Sequence, residues 1–426
     1  MTAPRDTPET VPFARPFIGV EEEEAVLRVL RSGWLTTGRE TLAFEGEFAA
    51  FLRGEEKNGA PLEALAVNSA TSGLHLALEA CGIGPGDLVL TPSYTFTSTA
   101  GVVRYLGAEP VFVDVVPDTF HIDPRALEYT LERLSRGLPA YSGGRARDNP
   151  EKEEAGFGPR GKAKAIIPVH YGGLPCAMEH IMAIAARYGL RVIEDAAHSF
   201  PSPLPGGSWA GAIGDAGVFS FYATKTLTTG EGGMVVSRDR GLIKRLTLMR
   251  SHGIDRTIWN RYTDGGASWY YEVAEPGFKY NLPDLLAALG RVQLSRARAL
   301  LLMREEIAAS YDAAFRDEEG LALPPSGPGD ARHLYPVRLN LERLSINRDC
   351  FIEKLKEEGI GVSVHFIPLH IMPYYQERYN LEAEDFPESL KSFRRVISLP
   401  IWPGMSPAQV ERVISTVKTL LRRYRK

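Results

Sequence analysis

The chain has 426 residues, 49 Lys and Arg against 53 Asp and Glu, a formal charge of −4 and 44% hydrophobic residues. These proportions exclude disordered, collagenous and coiled-coil chains, and the length predicts two or three domains whose cores need no staples. The near-neutral balance gives no electrostatic reason to expect nucleic acid or an anionic membrane as partner. Cys81, Cys176 and Cys350 form no CxxC pair, so they read as buried or inert thiols of a reducing cytosol rather than a disulfide framework or zinc site. No apolar run reaches signal-peptide or membrane-spanning length, and the expectation is a soluble, cytoplasmic protein.

In chain order, the first predicted helix runs from Glu21 to Arg31 and stops at Gly33. Its glutamates, Glu21 to Glu24, read as a solvated first turn favoured by the helix dipole. From about 60 to 240, short apolar runs alternate with amphipathic stretches. The runs are Leu65–Val67, Leu88–Leu90, Val111–Val113, Ala165–Ile167, Arg191–Ile193, Val218–Ser220 and Met234–Val236. They are too short and too β-branched for helices and predict buried strands. Helices are predicted between them, at Ser72–Cys81 before Gly82 and at Met178–Tyr188 before Gly189. Such alternation implies a mainly parallel sheet with helices on both faces.

The stretch Ser135 to Lys164 is rich in Gly, Pro and charge and reads as a mobile, dispensable surface insertion within one crossover. A long helix, Leu285 to Phe315, then leads into a smaller α+β unit. That unit is expected to contain a strand Tyr335–Leu339, a helix Asp349–Glu358, a strand Val362–Phe366 and a last helix Pro407–Tyr424. The basic end, Lys418 to Lys426, complements the helix dipole. The expected division is 1–290, an N-terminal arm and large domain, and 291–426, a linking helix and small domain.

Ligands of parallel sheets bind at the carboxyl ends of the strands. Ser69-Ala70-Thr71-Ser72-Gly73 stands at one such end and opens a helix, where hydroxyls and backbone N–H groups either bind phosphate or simply cap. No GxGxxG or Walker-type loop accompanies it, which disfavours dinucleotides and nucleoside triphosphates. Glu194-Asp195-Ala196-Ala197-His198 closes another strand. A carboxylate there could ligate Mg²⁺, cap a helix or face a protonated pyridine nitrogen. Lys225 follows a third strand; alone it reads as a surface residue, but a desolvated lysine can form a Schiff base. Together the three supply the fixed points needed to hold pyridoxal phosphate.

With these residues in view, the chain resembles the DegT/DnrJ/EryC1/StrS sugar aminotransferases, fold-type-I pyridoxal-phosphate enzymes with a mainly parallel seven-stranded sheet and a smaller C-terminal α+β domain. The resemblance runs from about Phe17 and includes Ser32–Gly38, Ser69–Gly73, Pro92–Phe96, Pro168–Gly173, Glu194–His198, Phe219–Phe221, Thr224-Lys225, Glu231–Gly233, Gly277–Asp284 and His365–His370. The ordered series is specific where each piece alone is weak.

The resemblance implies that Lys225 holds the cofactor and acts as general base and acid, and that Asp195 pairs with the ring nitrogen. It implies that Tyr94 stacks on the ring, that His198 sits near its hydroxyl edge, and that Thr71, Ser72 and Ser220 bind the phosphate. Asn281 would reach the phosphate of a neighbouring subunit in a homodimer with shared sites. Trp34, Thr36, Thr37, His170 and His365 would lie near a nucleotide-linked keto sugar. No metal is expected, because Pro368 lies between His365 and His370 and breaks the one-face helical spacing of zinc enzymes.

The implied reaction moves an amino group from L-glutamate to a keto group, at C4 rather than C3, of a nucleotide-linked sugar for polysaccharide, glycan or amino-sugar synthesis. Trp34–Gly38 and Pro168–Tyr171 carry the preference for C4. The alternatives are a C3-aminating enzyme, a sugar dehydratase, disfavoured by Lys225 because such relatives carry histidine there, and a non-catalytic cofactor-binding regulator. One departure stands beside the site: Tyr222 occupies the position where relatives commonly have histidine after Phe-Ser-Phe.

Overall fold

All seven apolar runs form strands of one sheet: β1 Glu63–Val67, β2 Asp87–Pro92, β3 Glu109–Val113, β4 Lys162–Ile166, β5 Arg191–Asp195, β6 Ala216–Ser220 and β7 Gly233–Ser237. The structure is a computed structural model that describes residues 10–53, 61–142, 156–254 and 270–426. The spatial order is β1-β7-β6-β5-β4-β2-β3. Only β7 runs against the others, pairing antiparallel with β1 and β6. The carboxyl ends of the other six strands therefore share one edge, and Gly233, which pairs with Val67 and Ser220, brings the start of β7 to it.

Helices cover this sheet because its strands are apolar on both faces. α1 Val20–Ser32 packs through Ala25 and Val29 on Ala288 rather than on the sheet, and the covering helices are α2 Arg39–Arg53, α3 Ala70–Ala80, α4 Thr97–Tyr105, α5 Pro124–Ser135, α6 Met178–Tyr188 and α7 Arg240–Arg250. The closest approach is made by α3: a Cβ at Gly73 would lie 2.7 Å from Cγ1 of Val218. That contact presses the start of α3 against the centre of the sheet.

The expected helix from 285 to 315 is two helices, α8 Asp284–Ser295 and α9 Ala297–Phe315, broken at Arg296. The Arg296 guanidinium reaches both carboxylate oxygens of Glu22, at 2.9 and 3.0 Å, and lies over the Phe17 ring. Glu22 is fully buried, accepts from the Gly19 amide at 2.8 Å and from Gln293 at 2.7 Å. One of the four glutamates read as a solvated turn is thus an internal anchor for the helix break.

A second, antiparallel sheet follows in the order β10-β9-β8, with β8 Leu321–Ala322, β9 Tyr335–Leu339 and β10 Val396–Leu399. It packs with α10 Arg348–Glu357 and α13 Pro407–Arg423, while α11 Pro373–Tyr379 and α12 Pro387–Phe393 lie between. Val362–Phe366 is not a strand. It is an irregular segment joined to β10 by a single bridge, Ser363 to Ser398, because its next residues turn toward the large sheet.

Each sheet's core recruits residues from the far end of the chain. Val11 packs in the core of the second sheet and bridges Ile360. Tyr375, Tyr379, Leu381 and Phe386 pack in a core of the first. Within the polar stretch 135–164, Tyr141 pairs with Phe157 and its hydroxyl accepts from the Phe112 amide at 2.7 Å. Residues 143–155 of that stretch lie outside the described residues. All three cysteines are free thiols: Cys176 is buried, Cys81 half-buried and Cys350 exposed. No helix among the described residues is long and apolar enough to cross a membrane.

Candidate active site

At the shared edge of the strands lies a cavity of about 470 Å³, within the range of small-molecule sites. One wall is the start of α3, with Ser69, Ala70 and Thr71. Ser69 caps this helix, accepting from the Ser72 amide at 3.1 Å. The first-turn amides of a helix lack intrahelical acceptors and carry the positive end of its dipole, so this wall suits an anion. The chain before β7 approaches the same turn closely: a Cβ at Gly233 would lie 2.8 Å from the Ala70 nitrogen and from the Ser69 carbonyl carbon.

Asp195, Ala197 and His198 form the floor beyond β5. Oδ2 of Asp195 accepts from the Thr99 hydroxyl at 2.9 Å and Oδ1 from the Ala197 amide at 3.2 Å. Burial raises the carboxyl above its ordinary range, and these two donors work against that rise. Across the cavity, Ser220, Tyr222, Thr224 and Lys225 follow β6. Lys225 reaches the cavity, and burial pulls its ammonium down to about 8, with Asp195 as the opposing charge.

His198 accepts from the Gly172 amide on Nδ1 at 3.2 Å, so its proton sits on Nε2. Burial holds it well below its ordinary value, so the ring is neutral. Its ring stands 4.5 Å from that of His333 and 5.6 Å from Phe366. His365 completes the roof. Its Nδ1 meets the Ser398 hydroxyl at 2.9 Å, and burial lowers it to about 4.

The cavity thus joins Lys225, Asp195, His198, Thr71, Ser220 and His365. Ser72 stays outside the wall; its hydroxyl donates to Asn68 Oδ1 at 2.7 Å. Tyr94, expected on a ring face, is fully buried in an aromatic cluster with Phe120 and Tyr171 and donates to the His365 carbonyl at 3.0 Å. The turn after β2 sends Tyr94 into the core, while Phe96 faces the cavity.

His170, expected near the substrate, is also fully buried. Its Nε2 bonds Glu194 at 2.9 Å, and its Nδ1 accepts from the Cys176 amide at 3.0 Å. Glu194 also takes the amides of Gly211, Ile213 and Gly214, which makes the pair a structural tie below the floor. Asn281 is not in the wall and donates to the Thr37 hydroxyl at 2.7 Å. The Trp34–Gly38 loop docks there too, with the Thr36 carbonyl accepting from the Asp284 amide at 3.2 Å and the Trp34 indole donating to the Thr37 carbonyl.

Phe96, Phe366 and His333 in the wall, and Thr99 behind Asp195, are given no role by the sequence reading. Phe96 sits in the quoted Pro92–Phe96 motif, where two aromatics two residues apart are indistinguishable by pattern. His333 precedes β9, at the wrong end of a strand for a search along carboxyl ends. No group of three or more potential metal ligands occurs among the described residues.

A dipole-positive helix start, a buried carboxylate and a desolvated lysine around one cavity fit an anionic aldehyde cofactor with a basic ring nitrogen. With this sheet, they define a fold-type-I, pyridoxal-phosphate-dependent transferase. The chain belongs to the DegT/DnrJ/EryC1/StrS aminotransferase family, whose model matches residues 16–418. It is 42% identical over 416 residues to the spore coat polysaccharide biosynthesis protein SpsC of Bacillus subtilis, covering 97% of both chains.

Among solved structures, it is similar to Spr1654 of Streptococcus pneumoniae, described as a sugar aminotransferase. The PLP form matches with a TM-score of 0.80 and 28% identity over 97% of this chain and 99% of that one. Helicobacter pylori PseC, an aminotransferase involved in pseudoaminic acid biosynthesis, matches with a TM-score of 0.81 and 27% identity over 98% and 100%. The protein is a pyridoxal-phosphate-dependent sugar aminotransferase.

Proposed function

We propose that this enzyme transfers the amino group of L-glutamate to the C4 keto group of a nucleotide-linked deoxy sugar, in the cytoplasm, for polysaccharide synthesis. The observation that carries the reading is the enclosure of Lys225 and Asp195 in one cavity beside the start of α3. Likeness to SpsC supports the polysaccharide role. The Trp34–Gly38 and Pro168–Tyr171 motifs carry the choice of C4 over C3.

Pyridoxal phosphate, when bound, supplies an aldehyde that takes up amino groups and a ring that delocalises charge from the carbon losing its proton. Lys225 anchors that aldehyde and then moves a proton at Nζ. With a pKa of about 8, roughly a tenth of it is free amine at pH 7. Asp195 keeps the ring nitrogen protonated and is itself held by Thr99 and the Ala197 amide. Thr71, Ser220 and the first turn of α3 hold the phosphate; Ser72 contributes by building that turn. Phe96 takes the stacking role first given to Tyr94. His198 borders the ring as a neutral hydrogen-bonding group.

The active unit in this reading is a homodimer, with a large unit to about 290 and a small unit beyond. Among the described residues, Lys225 is the only Lys or Arg in the cavity wall, yet a nucleotide diphosphate and a dicarboxylate need cations. Asn281 and the Trp34–Gly38 loop lie together outside the wall, and Leu27, Leu30, Leu35 and Leu42 stand exposed around that loop. A second copy packed there would cover the leucines and offer Asn281, Trp34, Thr36 and Thr37 to its neighbour's site.

The test is to add L-glutamate to the cofactor-loaded enzyme, then supply nucleotide 4-keto and 3-keto sugars in separate reactions. Amination of a 4-keto sugar with release of 2-oxoglutarate is expected. Exclusive use of 3-keto sugars would overturn the regiochemistry, and no response to glutamate would overturn the donor.

A further inference from the structure

Arg304 is a buried cation without an anion. It lies on α9, 2% exposed, and no carboxylate pairs with it among the described residues. Its Nη1 donates to the carbonyls of Arg332, His333 and Ile401 at 3.4, 3.2 and 2.8 Å, while Nε is enclosed with no partner. These carbonyls belong to the chain entering β9 and the chain leaving β10, which lie side by side because Tyr335 pairs with Leu399. His333 and Ile401 continue into the cavity wall, so the guanidinium stands directly behind it. Seven residues on along the same helix face, the Tyr311 hydroxyl donates to the Pro400 carbonyl at 2.9 Å. A neutral donor thus ties α9 to this segment, and a guanidinium costs more to bury than a hydroxyl. The charge of Arg304 persists at neutral pH, since burial lowers its pKa only to about 10. It is felt in the wall: burial first, then His198, Lys225 and Arg304, hold His333 well below its ordinary value.

We infer that Arg304 is a positioning residue that sets a fixed positive charge behind the cavity for an anionic occupant, while holding His333 and Ile401 in the wall. This rests on the placement of pyridoxal phosphate at Lys225 proposed above. Burial holds His198 and His333 well below their ordinary values and His365 at about 4, so all three are neutral near pH 7. Asp195 adds a negative charge, and Lys225 is the only Lys or Arg of the wall among the described residues. The phosphate of the cofactor and the carboxylates of an amino-acid donor bring further negative charge. A cation one layer behind the wall acts through protein rather than water, so it is weakly screened. An anion in the cavity offsets the burial cost of Arg304, which the apoprotein bears alone.

The experiment uses the full chain and its Arg304→Lys, Arg304→Gln and Arg304→Met variants. Urea denaturation of each apoprotein reads the structural part. The charge is read by pyridoxal phosphate affinity, from fluorescence titration, and by the pH at which the Lys225-bound cofactor changes absorbance. Loss of a nearby positive charge favours the protonated form. Arg304→Gln and Arg304→Met should therefore move that pH upward by about half a unit to one unit and raise the dissociation constant about five-fold. Arg304→Lys should stay within about 0.2 unit and about two-fold of the parent, whatever stability it loses. Equal shifts in all three variants, or none in the two neutral ones, overturn the inference. So does an apoprotein that folds only with Arg or Lys at this position, because the charge then serves the fold itself. If the parent shows no Lys225-bound absorbance, or Lys225→Met keeps it, the placement of the cofactor fails; when the inference alone fails, that absorbance is intact in the parent.

Discussion

The Thr99 hydroxyl donates to Oδ2 of Asp195 at 2.9 Å, so a side chain from α4 decides how readily the buried carboxylate on β5 keeps its charge. Burial favours the neutral acid, and the proposed chemistry needs the anion. Thr99 and the Ala197 amide supply the compensation from protein alone. Replacing the hydroxyl therefore removes a donor to the charged form and raises the carboxyl further. Thr99→Val is expected to lower kcat/KM about three- to ten-fold near neutrality and to move the acid limb of its pH profile upward. A profile superimposable on that of the parent would show that Thr99 does not tune Asp195.

Lys225 carries a stability cost for its function. Its pKa is lowered to about 8 by burial, against an ordinary value of 10.5. Between those values the unfolded chain holds a proton that the folded chain has lost, so the lysine's contribution to stability improves as pH rises through that window. Below pH 8 the cost is fully present. The apoprotein of Lys225→Met should be about 1–3 kcal/mol more stable than the parent in urea at pH 7, with the gap narrowing toward pH 10. Its turnover should fall by at least about a thousand-fold. A less stable Lys225→Met apoprotein would contradict the assigned burial cost.

Tyr94 and Phe96 should separate cleanly. Tyr94→Phe removes one of two phenols on the His365 carbonyl, the other belonging to Tyr171, and should cost about 1 kcal/mol of stability with cofactor affinity unchanged. Phe96→Ala leaves that network intact and should weaken cofactor binding about ten-fold, measured by dialysis or fluorescence titration. The opposite pattern would return the stacking role to Tyr94.

His170→Ala should act on folding. Its loss leaves the Cys176 amide without its buried acceptor and takes one of two donors from Glu194 Oε2, which keeps the Gly211 amide, a cost of about 2–4 kcal/mol in urea denaturation. The acceptor KM of the folded, cofactor-saturated variant should stay within about two-fold. A raised acceptor KM with an unshifted denaturation midpoint would make His170 a substrate contact after all.

The sequence by itself determined what depends on local pattern. Seven short β-branched runs became seven strands because a strand buried on both faces is apolar along its whole length, whatever lies around it. Lys225, Asp195, Thr71 and Ser220 were legible because strand ends and helix starts concentrate chemistry in parallel sheets. The tertiary structure alone decided which neighbours within a motif face the cavity. Tyr94 and Phe96 differ only in which side of a turn meets the core, and His170 differs from His198 only in being enclosed by Glu194 and a loop from 211 to 214. Glu22 and Arg296 are 274 residues apart, so no window of sequence shows that their pairing buries a carboxylate and breaks a helix. His333 reaches the cavity because its neighbour Leu334 packs with Tyr94 and Tyr171 at the edge of the first sheet. Burial is a property of what lies across the contact, and the chain's own periodicity describes only one side of it.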